Sequence, residues 1–488
     1  MPKNIIICSD GTGNTAIKGR GTNVFKMFEA IDLNGHRTNP ALDPQVAFYD
    51  DGVGTETFLP LKLLGGAFGF GLAKNVRYLY MDLVRIYDPG DRIYLFGFSR
   101  GAFTVRTLAG IIAKCGVLDR DKLPTTDALQ AAVGKAYRTY RRSYRTWLGQ
   151  LLHSPQLDLD AMEDFKKTHS LAVDVRIRFI GVWDTVDAVG GPFHTSDFIN
   201  AVIHRFKFPD RRLSDKVDWA AQALSIDEAR AAFQPVLWEA KPNIEQVWFA
   251  GVHSNVGGGY PKQGMSLVTL DWIMQKARER DLRILSDDRK YYWEHGSADD
   301  KLYDSRAGLG VFYRWKPRDM QKLCDQQNAA MPPAIHLSVL ERIAHGTDGY
   351  SPGTLAPNAE IVFTPSSDPD QDAAVAVRAR AAKSAVDEAY AKSGSDLDNA
   401  RGTVAIGRFA YYLYVLCALA VVLAGVTRVF TNAELIGTLL AGFALAGGLA
   451  HYVDHKRSMV FSRYWHDARQ DLRTALKSAR SALLSGRV

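Results

Sequence analysis

At 488 residues, with 47% hydrophobic and 23% charged side chains, the chain can bury a sizeable core, which excludes a disordered or fibrous protein. Its net charge of +7 is confined to the end: from Arg401 onward eleven Lys and Arg face four acids, so residues 1–400 balance and no nucleic-acid-binding face is expected on the main domain. Cys8, Cys115, Cys324 and Cys417 are scattered, without the spacing of a disulfide framework or zinc site, which points to a reducing compartment and no metal.

The first apolar run is too short for a secretory signal and reads as a buried strand, Asn4 to Ser9, ending in the turn cluster Asp10-Gly11-Thr12-Gly13-Asn14. Backbone N–H groups of Gly11 and Thr12 could complete an oxyanion hole with the N–H of Arg100; a tight turn capped by Asp10 accounts for the residues equally well. Thr22 to Ile31 has the pattern of a helix and Val46 to Tyr49 that of a second strand. Gly65 to Gly71 follows no strand and lacks dinucleotide-fingerprint spacing, so a loop is expected before a helix from Leu72 to Tyr87.

Pro89-Gly90-Asp91 then opens the most informative stretch, RIYLFGFSRGAFTVR. An apolar strand, Ile93 to Phe96, meets Gly97-Phe98-Ser99-Arg100-Gly101 and a helix-forming segment. That is the nucleophile-elbow pattern, in which glycines permit a strained turn and a close-packed helix, leaving a serine hydroxyl at the strand's end. Ser99 is the candidate nucleophile. From Ala128 to Leu152, Tyr137, Tyr140, Tyr144, Trp147 and Leu151 recur at helical spacing between arginines; an aromatic packing face is the favoured reading over a lipid-binding lid.

Another strand, Val173 to Val182, ends in Trp183-Asp184-Thr185-Val186-Asp187, where the acid of a Ser/acid/His triad belongs; Asp184 is the candidate and Asp187 the alternative. A stretch containing Asp227 and Glu228 reads as helical. The strand Gln246 to Ala250 then opens into Gly251-Val252-His253-Ser254-Asn255-Val256-Gly257-Gly258-Gly259-Tyr260, making His253 the candidate general base. The order Ser, Asp, His is that of α/β hydrolases, and such a triad needs no metal or organic cofactor. The expected fold is an α/β-hydrolase-like, mostly parallel sheet over residues 1–364, with the segment after His253 forming a helical cap.

Residues 365–403 read as a linker, helical from Asp372 to Ala391 and then Ser/Gly/Asp-rich from Lys392 to Asn399. Within 404–454, Phe409 to Val426 and Leu435 to Val453 are apolar on all sides and long enough to span a bilayer as a two-helix hairpin. Basic residues flank both outer ends while the connecting loop holds only Arg428, so the expected location is the cytoplasmic membrane, multi-pass, with the main domain facing the cytoplasm. Residues 455–488 form a basic amphipathic tail with Trp465, Ala468, Leu472, Ala475, Ala479 and Leu483 on one face, suited to an anionic leaflet or a partner copy.

Taken with the elbow, IIICSDGTGNT, FYDDGVGT, FIGVWDTV, LSIDEARAAFQPVLW and VWFAGVHSNVGGGY resemble the catalytic domain of the type VI secretion phospholipase effectors with a GxSxG elbow, over about the first 360 residues. The resemblance implies esterase activity on glycerophospholipids, with Ser99, Asp184 and His253 on the family's Ser, Asp and His positions. Asn255 stands where the family usually shows Asp, and Gly13 where it often has Trp. The expected protein is a membrane-damaging bacterial effector, an antibacterial toxin or anti-phage defence enzyme, acting on bilayer phospholipid and held off by a regulatory or immunity partner, or working as a homo-oligomer. Two alternatives are a sensing domain controlling a pore-forming hairpin and an esterase of soluble acyl substrates.

Overall fold

A computed structural model describes residues 2–11, 21–52, 66–142, 155–186, 211–307, 315–326, 332–402 (357 and 367 apart) and 459–477, with isolated positions between 409 and 448. Eight parallel strands form one sheet in the order β2-β1-β3-β4-β5-β6-β7-β8. They are β1 (Asn4–Ser9), β2 (Gln45–Asp50), β3 (Arg92–Phe98), β4 (Ile177–Trp183), β5 (Ala220–Ser225), β6 (Ile244–Phe249), β7 (Ala334–His336) and β8 (Glu360–Val362). Central strands are apolar on both faces because helices cover both. Alternation assigns each residue to a side. Ile5, Ile7, Ile93 and Leu95 join one core, with helices α2 (Gly66–Ile86), α3 (Arg100–Cys115), α4 (Thr126–Arg142) and α5 (Pro155–His169). Ile6, Cys8, Tyr94 and Phe96 face the other, under α1 (Asn23–Glu29) and α7 (Gly264–Arg278), with the short α6 (His253–Gly257) between β6 and α7.

A third core lies at the β6–β8 end, where Trp248, Ile335 and Leu340 pack with residues of α8 (Met320–Asp325), α9 (Leu337–His345), α10 (Pro369–Gly402) and a final helix over 459–477, α11. The tail is thus not merely a surface helix. Phe461, Trp465, Ala468 and Leu472 are buried against this chain's own domain, which corrects the expectation of a leaflet or partner copy for that face. The indole N–H of Trp465 donates to Pro352 O (2.7 Å). Arg469 donates from Nε to Ile343 O (2.8 Å), and Arg473 donates from Nη2 to His345 O (2.8 Å) and from Nε to Ala344 O. Those carbonyls close α9, so two guanidinium groups bond its terminal acceptors, Ile343 O alongside Gly346 N, and oppose its dipole. Ala479 and Leu483 lie outside the described residues.

Four other expectations are corrected. The Gly-rich stretch expected as a loop is helical from Gly66, its glycines being carried by the apolar turns that follow. Asp227 and Glu228 follow a strand, β5, whose Ala-rich sequence favours a helix by propensity but is buried on both faces between β4 and β6. The segment after His253 is not only a cap, since it adds β7 and β8, each too short for alternation to show. The linker is one continuous helix through residues 392–399, with Ala379, Ala382, Ala385, Val386 and Ala389 buried. Tyr140 and Tyr137 pack into the first core as expected; Tyr144, Trp147 and Leu151 lie outside the described residues.

Among the described residues no helix is long and apolar enough to cross a membrane. The expected hairpin, 404–454, falls outside them apart from isolated positions. Of these, Phe409, Leu413, Leu416 and Leu445 are helical and exposed by 66, 40, 63 and 75%.

Candidate active site

Ser99 links β3 to α3 with φ 58° and ψ −120°, a conformation costly for a residue with a Cβ and concentrated at functional turns. Its N–H donates to Trp183 O (3.0 Å), which ties the elbow to the end of β4. The flanking glycines are sterically required. A Cβ on Gly97 would lie 2.6 Å from Gly101 O, and one on Gly101 would lie 2.0 Å from Ser9 O. The second contact also brings the turn after β1 beside the elbow. Gly101→Ala is therefore expected to cost about 3 kcal/mol or more by forcing backbone apart. Gly134→Ala in α4, whose Cβ would meet nothing closer than 3.5 Å, should be neutral or stabilising by up to about 1 kcal/mol. Denaturant unfolding of both variants measures the contrast.

Asp184 follows β4, also at positive φ (42°), and is fully buried. Its Oδ2 lies 2.5 Å from His253 Nδ1. His253 opens α6, where the N–H of Val252 is accepted by Asn255 Oδ1 (3.3 Å) and that of His253 by Glu228 Oε2 (3.3 Å). Phe98 and Phe233 cover the imidazole, with ring centroids 4.6 and 4.9 Å away. His253 Nε2 is buried and has no hydrogen-bond partner among the described residues. Ser99, Asp184 and His253 thus occupy the carboxyl ends of β3 and β4 and the loop after β6, where open α/β sheets place their ligands.

Two further charged residues shape this site, of which only Arg318 lies outside every quoted motif. Arg318, 1% exposed, forks onto Asp184 (Nη1 to Oδ1 2.6 Å, Nη2 to Oδ2 2.8 Å) and also donates to Ser225 O and Phe233 O (both 2.6 Å). Glu228, fully buried, accepts from Arg230 Nε and Nη2 (both 2.8 Å). Burial alone would raise the Asp184 pKa, but the charge of Arg318 and the bond to His253 hold it well below the usual carboxylate range. Burial lowers the His253 pKa from its ordinary value, against the opposing pull of Asp184.

Asp10 caps the turn after β1, accepting from Gly11 N (2.6 Å), Thr22 Oγ1 (2.5 Å) and Tyr49 OH (2.6 Å). The capped-turn reading describes these contacts. The Gly11 N–H, expected as an oxyanion donor, already has an acceptor there. Arg100 begins α3 directly after Ser99. Thr12, Gly13 and Asp187 lie outside the described residues. Asn255 bonds away from the imidazole: its Nδ2 donates to Lys301 O (3.0 Å), which a carboxylate could not do, and its Oδ1 accepts from Tyr303 N (3.3 Å).

A parallel sheet carrying a Gly-x-Ser-x-Gly turn between strand and helix is the arrangement found in α/β hydrolases. The chain belongs to the type VI secretion system phospholipase effector family, Tle1-like: the model of that family's catalytic domain matches residues 3–276, and the chain thereby carries a hydrolase domain of the phospholipase class. It is 30% identical over 260 residues to the uncharacterized protein YEL023C of Saccharomyces cerevisiae; the match takes in 50% of this chain but only 34% of the yeast protein. Among solved structures, a Tle1 effector bound to the VgrG spike of the type 6 secretion system aligns over 53% of this chain and 51% of its own (19% identity, TM-score 0.32). An uncharacterized protein from Pseudomonas aeruginosa aligns over 79% and 59% (17% identity, TM-score 0.34). Neither superposition is close enough for residue-level comparison.

Proposed function

We propose that the protein is a membrane-anchored serine esterase that hydrolyses acyl esters of glycerophospholipids, a phospholipase A type reaction. The observation that carries this reading is the orientation of His253: Asp184 holds Nδ1, leaving Nε2 buried, with no partner among the described residues, for the hydroxyl of an elbow serine. His253 Nε2 takes the proton of Ser99 as Oγ bonds to the acyl carbon. The N–H of Arg100, with that of Thr12 as the second donor since the Gly11 N–H is bonded to Asp10, stabilises the oxyanion. His253 returns the proton to the departing lysophospholipid alkoxide, and water then releases the fatty acid by the same steps in reverse roles.

The membrane assignment rests on residues 404–454, as two spans of the cytoplasmic membrane with the hydrolase domain on the cytoplasmic side. The exposed Phe409, Leu413, Leu416 and Leu445 favour it, since large apolar side chains open to solvent would be covered by a bilayer. Anchoring raises the effective concentration of lipid at the site. Such an enzyme endangers the membrane that holds it. A role as an antibacterial or anti-phage effector, restrained by a regulatory or immunity partner, follows from that danger.

Mass spectrometry of phosphatidylethanolamine and phosphatidylglycerol vesicles treated with detergent-purified protein tests the reaction. Free fatty acid and lysophospholipid should appear with wild type and not with Ser99→Ala. Equal release by both, or cleavage of short soluble esters only, sinks it. The pH dependence is a second check. The base must be neutral and burial lowers its pKa, so log(kcat/KM) should rise with pH through a midpoint below 6.5. A rate profile with its acid limb centred above pH 7 would contradict His253 as the base.

A further inference from the structure

Within the matched domain, residues 3–276, Ser225 donates to Asp184 from N (3.0 Å) and Oγ (3.3 Å), but the cation paired with that acid lies outside it. Arg318 arrives from beyond it on an extended segment bonded at several points to the loop after β5. Lys316 N donates to Ala229 O (2.7 Å), Gln234 Nε2 donates to Lys316 O (2.9 Å), and Arg230 pairs with Trp315 in an antiparallel bridge. Asp319 then caps α8 by accepting from Lys322 N (3.1 Å), while Met320 and Cys324 are buried in the third core. The guanidinium is therefore clamped from both sides. A planar fork on both oxygens of one carboxylate fixes the plane of that carboxylate as well as its charge. Its further bond to Phe233 O places the ring that covers His253 under the same control.

We propose that Arg318 is a positioning residue for catalysis: it sets the orientation and ionisation of Asp184, and through Asp184 the proton affinity of His253. The inference rests on the Ser99 esterase reading above. An Asp–His pair without a cation has an unshared negative charge that strengthens proton binding at the imidazole. With Arg318 in place that charge is divided. Burial would raise the Asp184 pKa and the charge of Arg318 depresses it, in agreement with this arrangement; the lowered pKa of His253 comes first from burial.

Other charges face the imidazole. Glu228, through its bond to the His253 N–H, favours the protonated ring, while Arg230, paired to Glu228, opposes it. Asp227, pushed up to about 6 by burial, accepts from Gly251 N and Tyr350 OH and has Arg342 nearby, so it acts on the loop backbone. Tyr260 interacts with Glu228 and Arg230. None of these bonds to Asp184.

The test compares Arg318→Gln and Arg318→Lys with wild type, as full-length protein in detergent, by pH-rate profiles on a dispersed short-chain phosphatidylglycerol. Gln removes the cation, so the acid-limb midpoint should rise by about one unit and kcat should fall at least about tenfold, with KM within twofold. Lys keeps the charge but cannot fork; its midpoint should stay at the wild-type value and its kcat should lie between the other two. A folded Gln variant with the wild-type midpoint overturns the proposal. So does activity that falls only in step with the folded fraction, or a Lys variant no better than Gln. If the Gln variant does not fold, a Lys variant with lowered kcat, unchanged KM and unchanged midpoint supports the proposal, and wild-type kcat overturns it. Wild type lacking Ser99-dependent hydrolysis would instead refute the esterase reading itself.

Discussion

Replacing Ser99 by alanine is expected to lower the rate of fatty-acid release from phospholipid about 10⁴-fold or more, leaving the fold intact. The magnitude follows from what is lost. Without Oγ no acyl-enzyme forms, His253 has no proton to take, and any residual rate depends on water held near the oxyanion donors. Stability should change little, since alanine keeps the Cβ already accommodated at φ 58° and the backbone bond to Trp183 O. Matched thermal unfolding curves with a lipid-product assay make the comparison. More than about 1% of wild-type rate in a folded Ser99→Ala protein would remove Ser99 from the role of nucleophile.

The second large effect concerns stability and lies far from the serine. Trp465→Ala is expected to cost about 3–5 kcal/mol, lowering the unfolding temperature by on the order of 10 °C. The indole is 1% exposed, stacks edge-on with Tyr464 at 4.9 Å, and makes the buried bond to Pro352 O. Its removal opens a cavity between α11 and the third core and loosens the arginines that close α9. Trp293, 63% exposed, is the control, and its alanine variant should differ from wild type by no more than about 0.5 kcal/mol. Equal shifts for the two variants would show that α11 contributes nothing to holding the domain.

Docking of α11 has a consequence for how the chain is divided. Residues 459–477 follow the proposed spans, yet their apolar face completes the core beside β6–β8. Chain on either side of residues 404–454 is therefore packed together, α10 before and α11 after. A truncation that ends at the linker would remove the partner of α9 as well as the membrane segment.

Local pattern carried much of this fold. Continuous apolar runs bounded by turn residues located β1, β2, β3, β4 and β6 within a few residues, because a strand covered on both faces has little freedom in composition. The elbow was legible because its backbone tolerates so few residues: Gly97 and Gly101 face contacts that exclude any Cβ. Asp184 and His253 were legible because each closely follows an apolar strand, β4 and β6. Where preference and context disagreed, pattern failed. The Ala-rich β5 has helical propensity and becomes a strand only between two strands, and the Ser/Gly/Asp stretch of α10 stays helical because its preceding turns are packed.

By itself the sequence determined an α/β chain with a mostly parallel sheet, a Gly-x-Ser-x-Gly turn, and an acid and a histidine after later strands, because each rests on residues adjacent in sequence. Only the tertiary structure decided which groups hold that acid and what the tail touches. Arg318 is separated from Asp184 by 134 positions and sits in a stretch, WKPRDM, with no periodicity or motif. Its role arises solely because the chain's return past β5 places a buried cation against a buried carboxylate, so that each offsets the cost of burying the other's charge.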